Sequence, residues 1–217
     1  MPAWTCARIS RRPVTVPAVR RLQLIGKPLL FVAATAPLAW LAWRTAGHAG
    51  GLGANPVETL QDELGTWALR LLLATLAITP LRRLLGWNRL AQFRRMLGLF
   101  AFGYAALHFL NYLWLDQFFD LAAIVEDITE RPFITVGFAA LLSMLPLALT
   151  STNGWRRRLG RRWQQLHRLV YPVAILACWH FWWQVKKDVT EPLVYAAILA
   201  LLLGARLWRR PAARATS

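Results

Sequence analysis

The sequence predicts an all-α integral membrane protein, a six-transmembrane helix bundle with both termini in the cytoplasm. Three observations carry that reading. The 217-residue chain is 57% hydrophobic and only 17% charged, with a mean hydropathy of +0.37. Its apolar residues gather into six long stretches, and its charges divide by sign between alternate connections. A formal net charge of +16, from 26 Lys+Arg against 10 Asp+Glu, would suit a nucleic-acid binder, but such proteins are rarely this apolar. Twelve Trp among 217 residues also exclude a disordered chain.

A basic arm, 1–27, precedes the first stretch, 28–43, which opens on Leu29, Leu30, Phe31 and Val32. The others run over about 64–81, 96–115, 133–149, 169–185 and 192–208, and a tail of 209–217 follows. Each approaches the ~20 residues that cross ~30 Å of hydrocarbon at ~1.5 Å per residue. One such stretch would fit a buried core helix, but six in one short chain do not. None shows the strict alternation of a barrel strand, so helices are the reading. In the third, Gly98, Ala101, Gly103, Ala105 and Ala106 allow close packing. Pro80, Pro146 and Pro172 fall in or near helix ends, where they kink or terminate.

The charge map sets the orientation. The arm, the 82–95 and 156–168 connections and Arg206, Arg209, Arg210 and Arg214 hold 21 basic residues and no acid. The alternate connections hold all ten acids, from Glu58, Asp62 and Glu63 to Asp188 and Glu191, with only Arg44, Arg131, Lys186 and Lys187. The positive-inside rule puts the basic side in the cytoplasm. Short basic segments tethered to lipid argue against nucleic acid as a partner. Ser10-Arg11-Arg12 is part of a twin-arginine pattern, but no short apolar stretch with a small-residue cleavage site follows. Cys6 and Cys178 fall in different compartments and imply no disulfide.

Ionisable groups inside a membrane are costly, so each is a functional candidate. His48 lies in a Gly-rich outer loop and reads as solvated. His108 sits in the third stretch, 13 residues beyond Arg95, about 20 Å deep, and His180 in the fifth, 12 beyond Arg168, about 18 Å deep. Two facing imidazoles at matched depth can supply both axial ligands of a haem iron. Zinc normally takes four ligands and finds no Cys or carboxylate here. No C-x-x-C-H occurs, so the haem would be a non-covalent haem b. His167 could ligate a second haem; Arg94, 14 residues before His108 and about 40° from its face, could approach a haem propionate or the iron, or simply snorkel to the interface. From His167 to His180 an ideal helix turns out of register by about 140°, with Pro172 between them to distort it. One haem at His108–His180 is the firmer expectation and a second is open. Arg70, a lone cation in the second stretch, could meet a haem propionate or a cofactor phosphate, or pair structurally with a carbonyl or Tyr. A proton channel or small transporter using buried His stays open as the alternative.

Several motifs extend the reading: Asn55-Pro56-Val57-Glu58, Thr79-Pro80-Leu81, the run from Arg94-Arg95 to His108, Arg131-Pro132-Phe133-Ile134-Thr135, Leu147-Ala148-Leu149-Thr150-Ser151 and Trp163-Gln164-Gln165-Leu166-His167. Together, over about residues 25–205, they resemble the MsrQ (YedZ) family, haem-binding membrane subunits of bacterial methionine-sulfoxide reductase systems in the ferric-reductase-like transmembrane group. The resemblance implies an electron carrier of the bacterial inner membrane, with no catalytic residues of its own. Its donor would be the quinone pool or a cytoplasmic flavin reductase. Its acceptor would be a periplasmic molybdopterin catalytic subunit, MsrP-like, that repairs oxidised methionines in proteins. His108, His167 and His180 match the family's haem-associated histidines. The wider group commonly carries two His on the third helix, and here Arg94 stands where the second would be. FMN is implied by the resemblance only, since the chain carries no G-x-G-x-x-G fingerprint.

Overall fold

A computed structural model describes residues 24–185 and 188–207. Cys6, the Ser10–Arg12 pattern, most of the basic arm, Lys186, Lys187 and the 209–217 tail lie outside the described residues. Every regular element among the described residues is helical. In chain order these are α1 (Gly26–Thr45), α2 (Pro56–Leu85), α3 (Arg94–Asn111), α4 (Leu121–Glu130), α5 (Pro132–Leu149), α6 (Asn153–Leu159), α7 (Arg161–Leu166), α8 (Val170–Gln184) and α9 (Thr190–Leu207). A 3₁₀ helix, Asn88–Gln92, precedes α3, a π-helical turn, Tyr112–Asp116, extends it, and a 3₁₀ turn, His167–Leu169, leads into α8.

Each of the six apolar stretches falls on a helix. Among the described residues, three helical segments, Pro56–Leu85, Asn88–Asp116 and Pro132–Leu149, are long and apolar enough to cross a membrane. The 15 residues of α8 fall short because the 3₁₀ turn occupies what would be its first turn. Many large apolar side chains face outward, among them Phe31, Trp40, Leu84, Leu142, Trp179 and Leu201. An outer surface of that kind suits lipid rather than water.

Local sequence accounts for the helix limits. Asn55 caps α2 by accepting from Glu58 N–H, Pro56 supplies the first helical residue, and Gly86 ends the helix at φ 68°. Pro80 lies inside α2 and does not stop it, since the helix runs on to Leu85. Pro37 deprives α1 of one N–H, and one residue on Tyr104 enters the opened ladder. Its hydroxyl donates to Ala34 C=O (2.8 Å) and accepts from Leu38 N–H (3.1 Å). That single side chain ties α1 to α3.

The tightest packing joins α2 to α3 and α5 to α8. Of the small residues on α3, Ala101 is fully buried and Gly98 lies against Thr75, whereas Gly103 faces open space. The alternation of helix direction gathers the acids at one end of the bundle and most of the arginines at the other. At the acidic end, Asp127 accepts from Tyr112 (3.2 Å) and Gln117 (2.9 Å) and pairs with Arg131 (3.1 Å). At the basic end, Arg95 donates to Asn153 and Arg206 donates to the Tyr171 hydroxyl and the Leu76 carbonyl.

Candidate functional site

A cavity of about 390 Å³ opens between α2, α3, α5 and α8 at the acidic end, within the size range of ligand pockets. Its outer part is polar, with Asn55, Glu58, Asn111, Asp116 and Arg131; its inner part is apolar, with Leu69, Leu72, Ala140 and Met144. His108 and His180 both line it. Their ring centroids are 6.1 Å apart and the rings are nearly perpendicular, at 83°. The depth matching read from the sequence therefore corresponds to a shared cavity.

The two histidines are held in the same way. His108 Nδ1 lies 2.8 Å from the Gln61 carbonyl, and His180 Nδ1 lies 2.7 Å from the Phe133 carbonyl. A carbonyl only accepts, so in each neutral ring Nδ1 carries the proton and Nε2 keeps its lone pair. Metal-ligating histidines are commonly anchored through the opposite nitrogen in this manner. His180 Nε2 has no hydrogen-bond partner among the described residues. His108 Nε2 accepts weakly from the Gln61 amide (3.3 Å), whose oxygen in turn accepts from Asn111 (2.7 Å).

Two glycines make this anchoring possible. Four residues beyond Gln61 stands Gly65, and four beyond Phe133 stands Gly137. In a helix the carbonyl of residue i faces the N–H of residue i+4. A side chain at i+4 would screen that carbonyl from an outside donor. A Cβ at Gly65 would come within 3.0 Å of the His108 ring, and one at Gly137 within 2.8 Å of the His180 ring. The missing Cβ lets each imidazole share a carbonyl already used by its helix.

His167 lies at the basic end and lines neither this cavity nor the His108–His180 pair. Its Nδ1 faces the Trp163 carbonyl (3.1 Å), and its ring stacks on Trp163 at 3.8 Å. Its Nε2 is buried without a partner, a state that costs roughly 1–3 kcal/mol. The 3₁₀ turn at His167–Leu169 changes the register expected from the sequence. Three residues at ~120° rather than ~100° bring the His167–His180 offset from about 140° to about 80°. The distortion thus comes from this turn, while Pro172 sits in the first turn of α8, where proline is tolerated.

Arg94, half-buried at the start of α3, is close enough to feel the charges of Arg82 and Arg206, and His167 feels that of Arg94. No hydrogen bond joins Arg94 to His167 among the described residues. Arg70 lies outside the cavity. Ala68, Leu69 and Leu72 line it, whereas Arg70 projects from another face of α2, where its Nε donates to the Tyr195 hydroxyl (2.8 Å). His48 is exposed and stacks on Trp43.

Sequence reasoning missed Gln61, Phe133, Gly65 and Gly137. The one available signal was the pair of lone glycines inside helices, since a glycine there costs about 1 kcal/mol and asks for a packing reason.

Comparison with known proteins adds an independent line. Residues 64–178 match the family described as ferric reductase like transmembrane component. The chain is 52% identical over 198 residues to the protein-methionine-sulfoxide reductase heme-binding subunit MsrQ of Xanthomonas campestris pv. campestris (strain 8004), covering 89% of this chain and 91% of that one. It is 53% identical over 203 residues to the MsrQ of Bordetella pertussis (strain Tohama I), covering 91% and 96%.

Proposed function

The chain belongs to the MsrQ family of haem-binding subunits, within the ferric-reductase-like transmembrane components, and from that premise we propose that it carries electrons across the bacterial inner membrane through haem b held by His108 and His180. The observation that supports this most is the shared tautomer. Both rings are fixed through Nδ1 at one cavity, with the His180 Nε2 lone pair unpartnered among the described residues and that of His108 engaged only by a weak contact from the Gln61 amide that iron would displace. The buried, unpartnered Nε2 of His167 fits a second haem in the same way, with Arg94 beside it as a counter-charge for a propionate. Bound haem supplies reversible one-electron chemistry at a potential set by its axial ligands and surroundings.

The protein's own work is positional. The Gln61 and Phe133 carbonyls fix the tautomer and orientation of the imidazoles, and Leu69, Leu72 and Met144 keep water from the inner part of the cavity. FMN is implied by the family resemblance only, and we assign it no site among the described residues. The second cavity, about 220 Å³ between α1, α2 and α3, is lined by Leu38, Leu41, Leu64, Leu107 and Trp114 and offers no charged group to a phosphate.

The charge division supports an orientation with the basic end in the cytoplasm and the histidine cavity toward the periplasm. Electrons would enter from the quinone pool or a cytoplasmic flavin reductase. They would leave near the acidic mouth, toward a periplasmic molybdopterin subunit that reduces methionine sulfoxide in proteins. Absorption spectroscopy of the purified protein tests the reading. A reducible b-type spectrum whose acidic-end component is lost on substitution of either His108 or His180 is expected. Solute-dependent proton flux in liposomes without any chromophore would instead identify a histidine proton channel.

A further inference from the structure

Arg70 is an exposed arginine at mid-span, and the electron-carrier function assigned above leaves it unused. On α2 it stands eight residues from Asp62, about 12 Å by helical rise, and twelve from Arg82, about 18 Å. Those two charges bracket about 30 Å, the thickness of a bilayer's hydrocarbon core. The backbone of Arg70 therefore stands near the middle of the span, where an uncompensated cation is costly and marks a site.

Its surroundings are specific. Nε donates to the Tyr195 hydroxyl, and the guanidinium carbon lies 5.0 Å from the centre of the Trp67 ring. Among the described residues, the two terminal nitrogens have no hydrogen-bond partner. Tyr195 accepts from Arg70 and has no acceptor for its own proton among those residues, so it too is free to donate outward. Three donor groups thus converge beside an aromatic face at a depth that water and phosphate headgroups do not reach. The edge of the site is also wired to the histidine cavity. Phe181 lines that cavity and packs edge-on against Tyr195, with centroids 5.8 Å apart.

We propose that Arg70, Tyr195 and Trp67 form the docking site for the headgroup of a membrane-soluble quinone, reached from the lipid between α2 and α9. The inference rests on the electron-carrier reading for the identity of the ligand, and on the residues above for the place. A quinone is neutral, partitions into hydrocarbon and presents acceptor oxygens on a flat ring, which matches donors set against aromatic side chains. A phospholipid phosphate would offer stronger acceptors, but on the helical-rise count it would have to be drawn toward mid-span to meet Arg70.

The test is binding of decylubiquinone to the purified haem-loaded protein in detergent, by equilibrium partition, with haem content per polypeptide measured on each sample. Arg70→Gln and Tyr195→Phe are each expected to weaken binding at least tenfold without changing haem content. Arg70→Lys, which keeps the charge but replaces the three guanidinium nitrogens with one, should fall between. Tyr195→Phe alone suffices where Arg70→Gln does not fold. Unchanged quinone affinity in Tyr195→Phe and in any folded Arg70 variant would overturn the site. So would Arg70-dependent binding of phosphatidylglycerol with no quinone binding. Arg70-dependent quinone binding in a protein that takes up no haem would support the site while removing the haem assignment.

Discussion

The two ends of the bundle hold histidine in different ways. At the acidic end, His108 and His180 are each anchored to a neighbouring helix, through Gln61 on α2 and Phe133 on α5. At the basic end, His167 is anchored four residues back in its own segment, to Trp163. The first arrangement fixes the rings relative to the whole bundle and converges two lone pairs on one cavity. The second fixes a ring relative only to its own turn, beside arginines and without a second imidazole. A site built across helices depends on inter-helix contacts that a single methyl group can disturb. A site built within one segment does not.

That difference can be broken or sharpened experimentally, beginning with the largest effect. His108→Ala or His180→Ala should remove the chromophore of the acidic end altogether, whereas His167→Ala should leave it in place. Reduced-minus-oxidised difference spectra per mole of polypeptide distinguish these outcomes, and equal losses in all three variants would erase the contrast. Next come the glycines. Gly137→Ala should lower haem occupancy several-fold and Gly65→Ala less, because the new methyl group would meet the rings at 2.8 Å and 3.0 Å respectively. If both variants bind haem like the unsubstituted protein, the open-carbonyl explanation is wrong.

A smaller effect is expected at the mouth of the cavity. The Arg131–Asp127 pair joins residues four apart, and its arginine is 57% exposed. Arg131→Gln should cost less than about 1 kcal/mol of stability, and 1 M salt should shrink the difference further. Thermal denaturation at two ionic strengths measures it. A loss of several kcal/mol would mean that the network through Asp127, Tyr112 and Gln117 acts as a unit.

Much of this organisation was legible in the sequence because lipid imposes simple rules. Apolar stretches located the helices, and the segregation of Asp and Glu from Arg separated the two ends. Helical rise alone placed His108 and His180 at matching depth. Three features were not legible, each for a physical reason. The start of α2 at Pro56 was hidden because Glu58, Asp62 and Glu63 make its first two turns look like a loop. The register of His167 depended on three residues of 3₁₀ geometry that no propensity singles out. The anchoring of the histidine pair depended on which backbone carbonyls were left open, a property of Gly65 and Gly137 that emerges only once α2 packs on α3 and α5 on α8. Arg70 is a parallel case. Its position in a span was plain, but its partner Tyr195 lies 125 residues away.

The most direct test of the His108–His180 assignment is the pyridine haemochrome content per polypeptide of the unsubstituted protein and of His180→Ala. The expected result is b-type haem in the first and loss of the acidic-end equivalent in the second. An identical haem-to-polypeptide ratio in both would contradict the assignment.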